Sequence, residues 1–575
     1  MKKLLKYLNN YKKECVLAPL FKMLEAIFEL TVPLVISYMI DNGIRTGSAD
    51  VIIRSFLILL LLGITGLFVS CTAQFFAAKA ATGFSRELRH DIFGHIMSFG
   101  FVEIDNVGTS TMITRATSDV NILQNGVNMF LRLFLRSPFI VAGACIMAFT
   151  IDTKCALIFI LVIIALAVTV TVITKLNIPL LISVQKKLDD VLCLVRENLS
   201  GARVVRAFTL EEKQTEDFEK TNGDLTATQL TAGRVSGLLN PLTYVLVNLA
   251  IVLLIYTGGT QKDKGILTTG QIVALYNYMS QILLELIKFA NLIVTLNRSL
   301  ASATRVNALF DVTPSMTVAD DGRTVSFGEG IPAVEFTNVS LKYHEGADEA
   351  VSNITFTIGT GSSFGIIGPT GSGKTTIASL MTRFYDPTAG EVKIGGVDLK
   401  DTDLFSLRKD IGIVMQKAVL FEGTIRDNLR WGNPSATDEE LLEAAKCAVC
   451  SEVIEGKGGL DGIVEAGGRN FSGGQRQRLS IARVLAKKPK ILILDDSSSA
   501  LDYLTDRKLR ENIASLSYDP TVIIIAQRTV SVSGCDSILV LDDGQCVGLG
   551  THEQLLDSCE VYREIDQANP AKEAV

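Results

Sequence analysis

Much of the first 300 residues is organised in long runs without a formal charge. Residues 55–78 form one of 24, residues 156–174 one of 19, residues 235–261 one of 27 and residues 265–284 one of 20. Crossing a bilayer as a helix takes about 20 mostly apolar residues. Two further segments, about 15–40 and 127–151, are apolar but interrupted. The first carries Lys22, Glu25 and Glu29, and the second has Arg132 and Arg136 ahead of a 15-residue uncharged run. Soluble helices of this length keep a polar face, so the pattern predicts six membrane spans.

The segments between the spans differ in length and charge. Residues 175–234 hold nine Lys or Arg, whereas the stretches around 41–50, 152–154 and 262–264 are short and carry few. Basic loops stay on the cytoplasmic side. Both termini are therefore expected in the cytoplasm, at the cytoplasmic (inner) membrane. The long stretches after spans two and four exceed what a connector needs, and are expected to continue the helices beyond the bilayer. Residues 1–14 hold five Lys and no cleavable apolar core, so no secretory signal peptide is expected. At a 3.6-residue period Leu4, Leu5, Leu8 and Tyr11 share a face, which predicts an interfacial helix over 1–14.

The pattern changes after about residue 309. Residues 312–330 contain Pro314, three Gly and scattered charge, and read as a linker. From 331 to 575 short apolar runs alternate with helical patterns, which predicts an α/β domain. The membrane part is then expected over 15–311.

One motif in the second part is specific. Gly368, Pro369, Thr370, Gly371, Ser372, Gly373, Lys374 and Thr375 fit the P-loop at every fixed position, with Thr376 following. A short apolar run, 364–367, precedes it and a helical pattern follows. Glycines let backbone N–H groups close on phosphates, and the helix N-terminus adds positive potential. Lys374 is placed to reach the β- and γ-phosphates of ATP, and the Thr375 hydroxyl to bind Mg²⁺. The apolar run 491–494 ends in Asp495, a second candidate for holding that ion.

Between these two lies Phe471-Ser472-Gly473-Gly474-Gln475, followed by Arg-Gln-Arg. With the P-loop, this segment resembles the signature of ABC transporter ATPases, which usually begins with Leu where Phe471 stands. The resemblance implies several further roles. Tyr343 would stack on adenine. Gln416 would sense Mg²⁺ and face the membrane domain. Ser499, Ala500, Leu501 and Asp502 would form the loop at the interface of two nucleotide domains. Residues 201–208 are similar to the family's second cytoplasmic loop. Six spans ahead of one such ATPase is the plan of an exporter half-transporter, so the expected fold is an α-helical six-span domain followed by an α/β P-loop ATPase with a helical subdomain. Two such chains would sandwich two ATP molecules, each between one P-loop and the other chain's signature.

Two positions depart from the family pattern. Asp496 stands where a Glu usually acts as general base, and Gln527 stands where a switch His is usual. Asp is one methylene shorter, so its oxygens sit roughly 1–1.5 Å farther from an attacking water, and a misplacement near 1 Å costs on the order of 10²-fold. Gln527 can donate a hydrogen bond but cannot become a cation. The chain's own P-loop site is thus expected to bind ATP and hydrolyse it poorly, while its intact signature serves another chain. The expected partner is a second, different half-transporter with Glu and His at these positions, as in asymmetric bacterial multidrug exporters. A slow homodimeric exporter of drugs, lipids or peptides, and an ATP-gated regulator that moves nothing, stay open as alternatives.

Charge sharpens the division. The net charge of −6 combines 29 Lys and Arg against 22 Asp and Glu over 1–310 with 26 against 39 over 311–575. The basic half suits an anionic leaflet, and the acidic balance of the other argues against non-specific nucleic-acid binding. Cys447 and Cys450 form a CxxC without a second pair, so packing is expected there rather than zinc. Glu29, Glu285, Arg132 and Arg136 are candidates to line a substrate cavity. Lys288, three residues after Glu285, is positioned to pair with it. An acidic Glu29 in the cavity would favour cations among hydrophobic small-molecule substrates.

Overall fold

A computed structural model describes residues 2–316, 322–328, 330–344, 346–497 and 500–568. The expected linker at 312–330 lies partly outside them. The chain forms two compact units, one of residues 1–97 and 110–312, the other of residues 98–109 and 313–575.

The first unit is helical, and its described residues contain six helical segments long and apolar enough to cross a membrane, as the four charge-free runs and the two interrupted segments predict. Its main elements are α1 (Lys12–Met39) and α2 (Ala49–Met97). A short helix of the other unit, α3 (Phe101–Val107), comes next in the chain. Then follow α4 (Val120–Leu133), α5 (Arg136–Ile151), α6 (Thr153–Ser200), α7 (Glu211–Gly237), α8 (Leu239–Asp263) and α9 (Thr269–Phe310). α2 has 49 residues and α6 has 48. At 1.5 Å per residue each is about 70 Å long, more than twice a hydrocarbon core.

Local chemistry sets the ends. Asp152 caps α6 by accepting from Cys155 N at 2.9 Å. Thr268 and Gln271 make a reciprocal capping box at the start of α9. Asp41, just beyond α1, accepts from the Thr268 hydroxyl at 2.5 Å and from Gly270 N at 3.0 Å, which fixes the two helix ends side by side.

Two elements differ from the sequence expectation. The third span is broken between α4 and α5 at Phe134–Leu135. Pro138 explains the break: it has no N–H for the carbonyl four residues back, and its ring crowds that turn. The N-terminal segment Lys2–Tyr11 is a 3₁₀-helix. Its three-residue period aligns Leu4 and Tyr7, which are buried, and turns Leu5 outward. Tyr7 donates to Asp91 Oδ2 at 2.8 Å.

Among its described residues the second unit has a small antiparallel ribbon, Gly423–Thr424 with Ile463–Val464, and two large sheets. One has the order β2 (Val351–Ile358), β1 (Val334–Leu341), β4 (Ala389–Ile394), β5 (Val397–Asp398), and its pairs are antiparallel. The other contains β3 (Ser363–Ile367), β6 (Ile411–Val414), β7 (Ile491–Asp495), β8 (Thr521–Ala526), β9 (Ser537–Asp542) and β10 (Gln545–Gly550). Its order is β10-β9-β3-β8-β7-β6, parallel except at the β10 edge. Stacked Phe336, Phe356 and Phe364 fill the core between the sheets. A second core joins the helices around 420–485 to Leu492 and Leu494.

Candidate active site

In an open parallel sheet, ligands gather at the carboxyl ends of the strands. β3 runs into the P-loop, β6 into Gln416, β7 into Asp495 and Asp496, and β8 into Gln527. Because β6, β7, β8 and β3 are neighbours in parallel register, four chain segments far apart in sequence converge at one edge.

The P-loop leads from β3 into α10 (Lys374–Met381). Gly373 has φ +92°, a left-handed conformation, and a Cβ there would lie 2.7 Å from Ala350 O. A Cβ on Gly368 would lie 2.2 Å from Leu541 O. Lys374 folds over its own loop, and Nζ donates to Gly368 O at 2.9 Å and Pro369 O at 2.6 Å. Burial pulls its ammonium pKa below the usual lysine range, while Asp496 and Asp495 push back. Thr375 Oγ1 donates to Asp495 Oδ1 at 3.2 Å. Burial raises the Asp495 carboxyl above the ordinary carboxylate range.

The two departures from the family pattern sit together. Asp496 has φ +45° and is buried. Its Oδ2 accepts from Gln416 Nε2 at 3.2 Å and from Gln527 Nε2 at 3.1 Å. Sequence spacing gave no sign that both amides would meet one oxygen.

The Tyr343 hydroxyl shares a 2.9 Å hydrogen bond with Thr376 Oγ1, and its ring meets Tyr385 edge-on at 4.9 Å. Tyr385 in turn donates to Asp105 Oδ2 at 2.7 Å, and Phe101 packs on Phe384 at 4.5 Å. Thus α3, encoded between the second and third spans, packs within the second unit. Sequence reasoning missed these contacts, although Phe101 beside an acidic turn was a visible cue.

The signature segment begins α11 (Gly473–Leu485). Ser472 and Gln475 form a capping box, with Ser472 N donating to Gln475 Oε1 at 2.9 Å, while Phe471 is buried. Gly473 is exposed, so the helix N-terminus faces outward. Of the loop expected at the interface of two nucleotide domains, Ser499 lies outside the described residues. Asp502 caps α12 (Tyr503–Ala514), accepting from Thr505 N at 3.1 Å, with Ala500 and Leu501 just before it.

Comparison with known proteins agrees with this architecture. The ABC transporter transmembrane region matches residues 15–286, and the ABC transporter family matches residues 351–499. An uncharacterised ABC transporter ATP-binding protein of Mycobacterium tuberculosis is 33% identical, with 97% of this chain and 96% of that protein covered. The chain belongs to the ABC transporter family. YfiB of Bacillus subtilis, described as an uncharacterised ABC transporter ATP-binding protein, is 32% identical over 100% of this chain and 99% of its own. The solved structure of a bacterial Atm1-family ABC exporter with ATP bound superposes with a TM-score of 0.80 at 25% identity, covering 98% of this chain and 99% of that one. This ABC transporter is a multi-pass membrane protein of half-transporter plan, with an exporter-type membrane domain fused to an ATPase domain.

The residues of the membrane spans also form a site. Arg136 donates to Glu285 Oε1 at 2.7 Å and to both oxygens of Glu29 at 2.8 Å. Lys288 donates to Glu285 at 2.8 Å, as their spacing predicts. Glu29 is therefore engaged by a cation, and the acid expected to attract cationic substrates is already neutralised.

Proposed function

We propose that this chain is one half of a heterodimeric exporter that moves hydrophobic small molecules out across the cytoplasmic membrane, with both termini and the ATPase domain inside. Its own P-loop site binds ATP and hydrolyses it weakly, and its signature completes the catalytic site on the partner. The observation that carries this reading is the double amide contact on Asp496. A carboxylate oxygen that accepts from both Gln416 and Gln527 is occupied by two amides and so held away from a base's task.

ATP would replace the carbonyl partners of Lys374 with phosphate oxygens. Thr375, Asp495 and Gln416 offer an all-oxygen donor set at that point, which fits Mg²⁺. Bound there, the ion would neutralise phosphate charge. Tyr343 supplies the aromatic face for adenine. Gln527 holds Asp496 and has no titratable proton to relay. Closure of two ATPase domains around nucleotide then drives alternating access of the spans, and hydrolysis at the partner's site resets the pair. The nine Lys and Arg of residues 175–234, against few in the short segments expected on the other side, support the orientation.

The test is the purified heterodimer. Asp496→Asn is expected to keep most ATPase activity, whereas Glu→Gln at the matching position of the partner is expected to abolish it. The reverse pattern overturns the assignment.

A further inference from the structure

The membrane unit contains a cavity of about 450 Å³ whose wall is charged. α1 contributes Lys22, Glu25 and Glu29, α4 and α5 contribute Arg132 and Arg136, and α9 contributes Lys288. A polar cavity among apolar helices is costly to build, and ionisable residues there mark pathways and ligand sites.

The charges do not balance. Lys22 pairs with Glu25 at 2.5 Å and also donates to the Ser70 hydroxyl at 3.2 Å. Arg136 takes Glu29, and Arg136 with Lys288 takes Glu285, which also accepts from Ser137 at 2.8 Å. Each of the three carboxylates thus has a cation. The fourth cation, Arg132, forms no ion pair among the described residues, and its buried Nε has no hydrogen-bond partner. The cluster therefore carries one surplus positive charge, located on a guanidinium in the cavity wall.

Met129 and Leu133, on the same helix as Arg132, give the wall an apolar strip beside the guanidinium, which suits an occupant with an apolar body next to its polar end. Its polar end has to satisfy a planar, five-donor cation, and a carboxylate or phosphate oxygen pair does so in bidentate fashion. We propose that this cavity binds the anionic head of an amphiphile, with Arg132 as its anchor. This rests on the exporter reading and gives that reading a substrate class: carboxylate- or phosphate-headed amphiphiles, not cations.

The experiment uses the full-length chain in nanodiscs of zwitterionic lipid. Dodecyl phosphate is titrated, with dodecyltrimethylammonium as the cationic counterpart, and binding is read by the shift of the thermal transition. Saturable stabilisation by dodecyl phosphate is expected. Arg132→Gln is expected to weaken it about tenfold or more, the size of one lost charge-assisted hydrogen bond, and Arg132→Lys to retain part of it. Since Arg132 has no ion-pair partner, the unliganded transition of Arg132→Gln is expected to stay in place. Equal binding by Arg132→Gln, or tighter binding of the ammonium amphiphile, overturns the proposal. A second set of nanodiscs containing anionic phospholipid separates the sources: competition assigns the site to a lipid headgroup, and its lack to a soluble amphiphile, either of which supports the anionic chemistry. Binding of a fluorescent ATP analogue is measured in the same preparation. Its absence overturns the ATP-driven reading and leaves the anion site standing.

Discussion

Gln527 and Asp496, 31 residues apart, meet through a 3.1 Å hydrogen bond from the amide to the carboxylate. The pairing links the two positions that depart from the expected pattern, so they are expected to act as a unit rather than independently. In the proposed heterodimer, with the partner's site disabled, Asp496→Glu alone is expected to restore little hydrolysis, since both amides would still hold the carboxylate. Asp496→Glu with Gln527→His is expected to raise it on the order of 10²-fold, the scale of recovered positioning. Phosphate release from the singly and doubly substituted proteins checks this. Full recovery with Asp496→Glu alone would show that the amide clamp is inert.

Tyr385 holds α3 against the ATPase core through Asp105, while its ring edge touches Tyr343. Tyr385→Phe removes one hydroxyl and keeps the ring. The loss of a single hydrogen bond is expected to cost about 1 kcal/mol. It is expected to show as faster amide exchange confined to residues 101–107, with nucleotide affinity changed less than twofold. Uniformly faster exchange over the whole ATPase unit would instead assign the hydroxyl to global stability.

How much of this was legible depends on the range of the interaction. Spans are local: 27 uncharged residues from 235 to 261 leave few other structures. The P-loop is local too, because glycine positions and a following helix are fixed by the backbone path around Gly368 and Gly373. The break at Phe134–Leu135 is readable in Pro138, although the apolar run continuing across it masks it. The Gln416–Asp496–Gln527 contact was not readable, since it depends on the order of β6, β7 and β8 in the sheet. Arg136 was seen as a charge in a span, but its partners come from α1 and α9, 107 and 149 residues away. Leu5 faces outward because the N-terminal segment winds as a 3₁₀-helix, which side-chain pattern alone does not distinguish from an α-helix.

The Arg136–Glu285 pair invites a double-mutant cycle. Arg136→Leu leaves Glu29 without its cation and Glu285 with only Lys288 and Ser137. Removing one member of a buried pair costs about 3–5 kcal/mol. Replacing both Arg136 and Glu285 by Leu is expected to be milder than the sum of the single changes, with a coupling of about 0.5–3 kcal/mol. Unfolding of the detergent-solubilised chain followed by tryptophan-independent scattering, or by helix loss, measures it. Additive losses would mean that the two residues stabilise the bundle independently.

The CxxC pair makes a prediction with a definite pH sign. Burial pushes the Cys447 thiol up to about 11 and the Cys450 thiol up to about 12. The thiolate is the form that is alkylated or binds metal. Both residues are therefore expected to resist iodoacetamide in the native protein at pH 8, and to react once urea unfolds the ATPase unit. The same shift acts on stability. Between the ordinary thiol range and these raised values the unfolded chain loses protons that the native protein keeps. Stability therefore holds below about pH 8.5, the free-thiol value, and falls as pH climbs through that window. Replacing both cysteines by Ala or Val removes the two thiols and should flatten the alkaline limb of the thermal transition between pH 8 and 11. An unchanged alkaline limb would assign that loss to other groups, and rapid alkylation of the native protein would show that the pair is open to solvent.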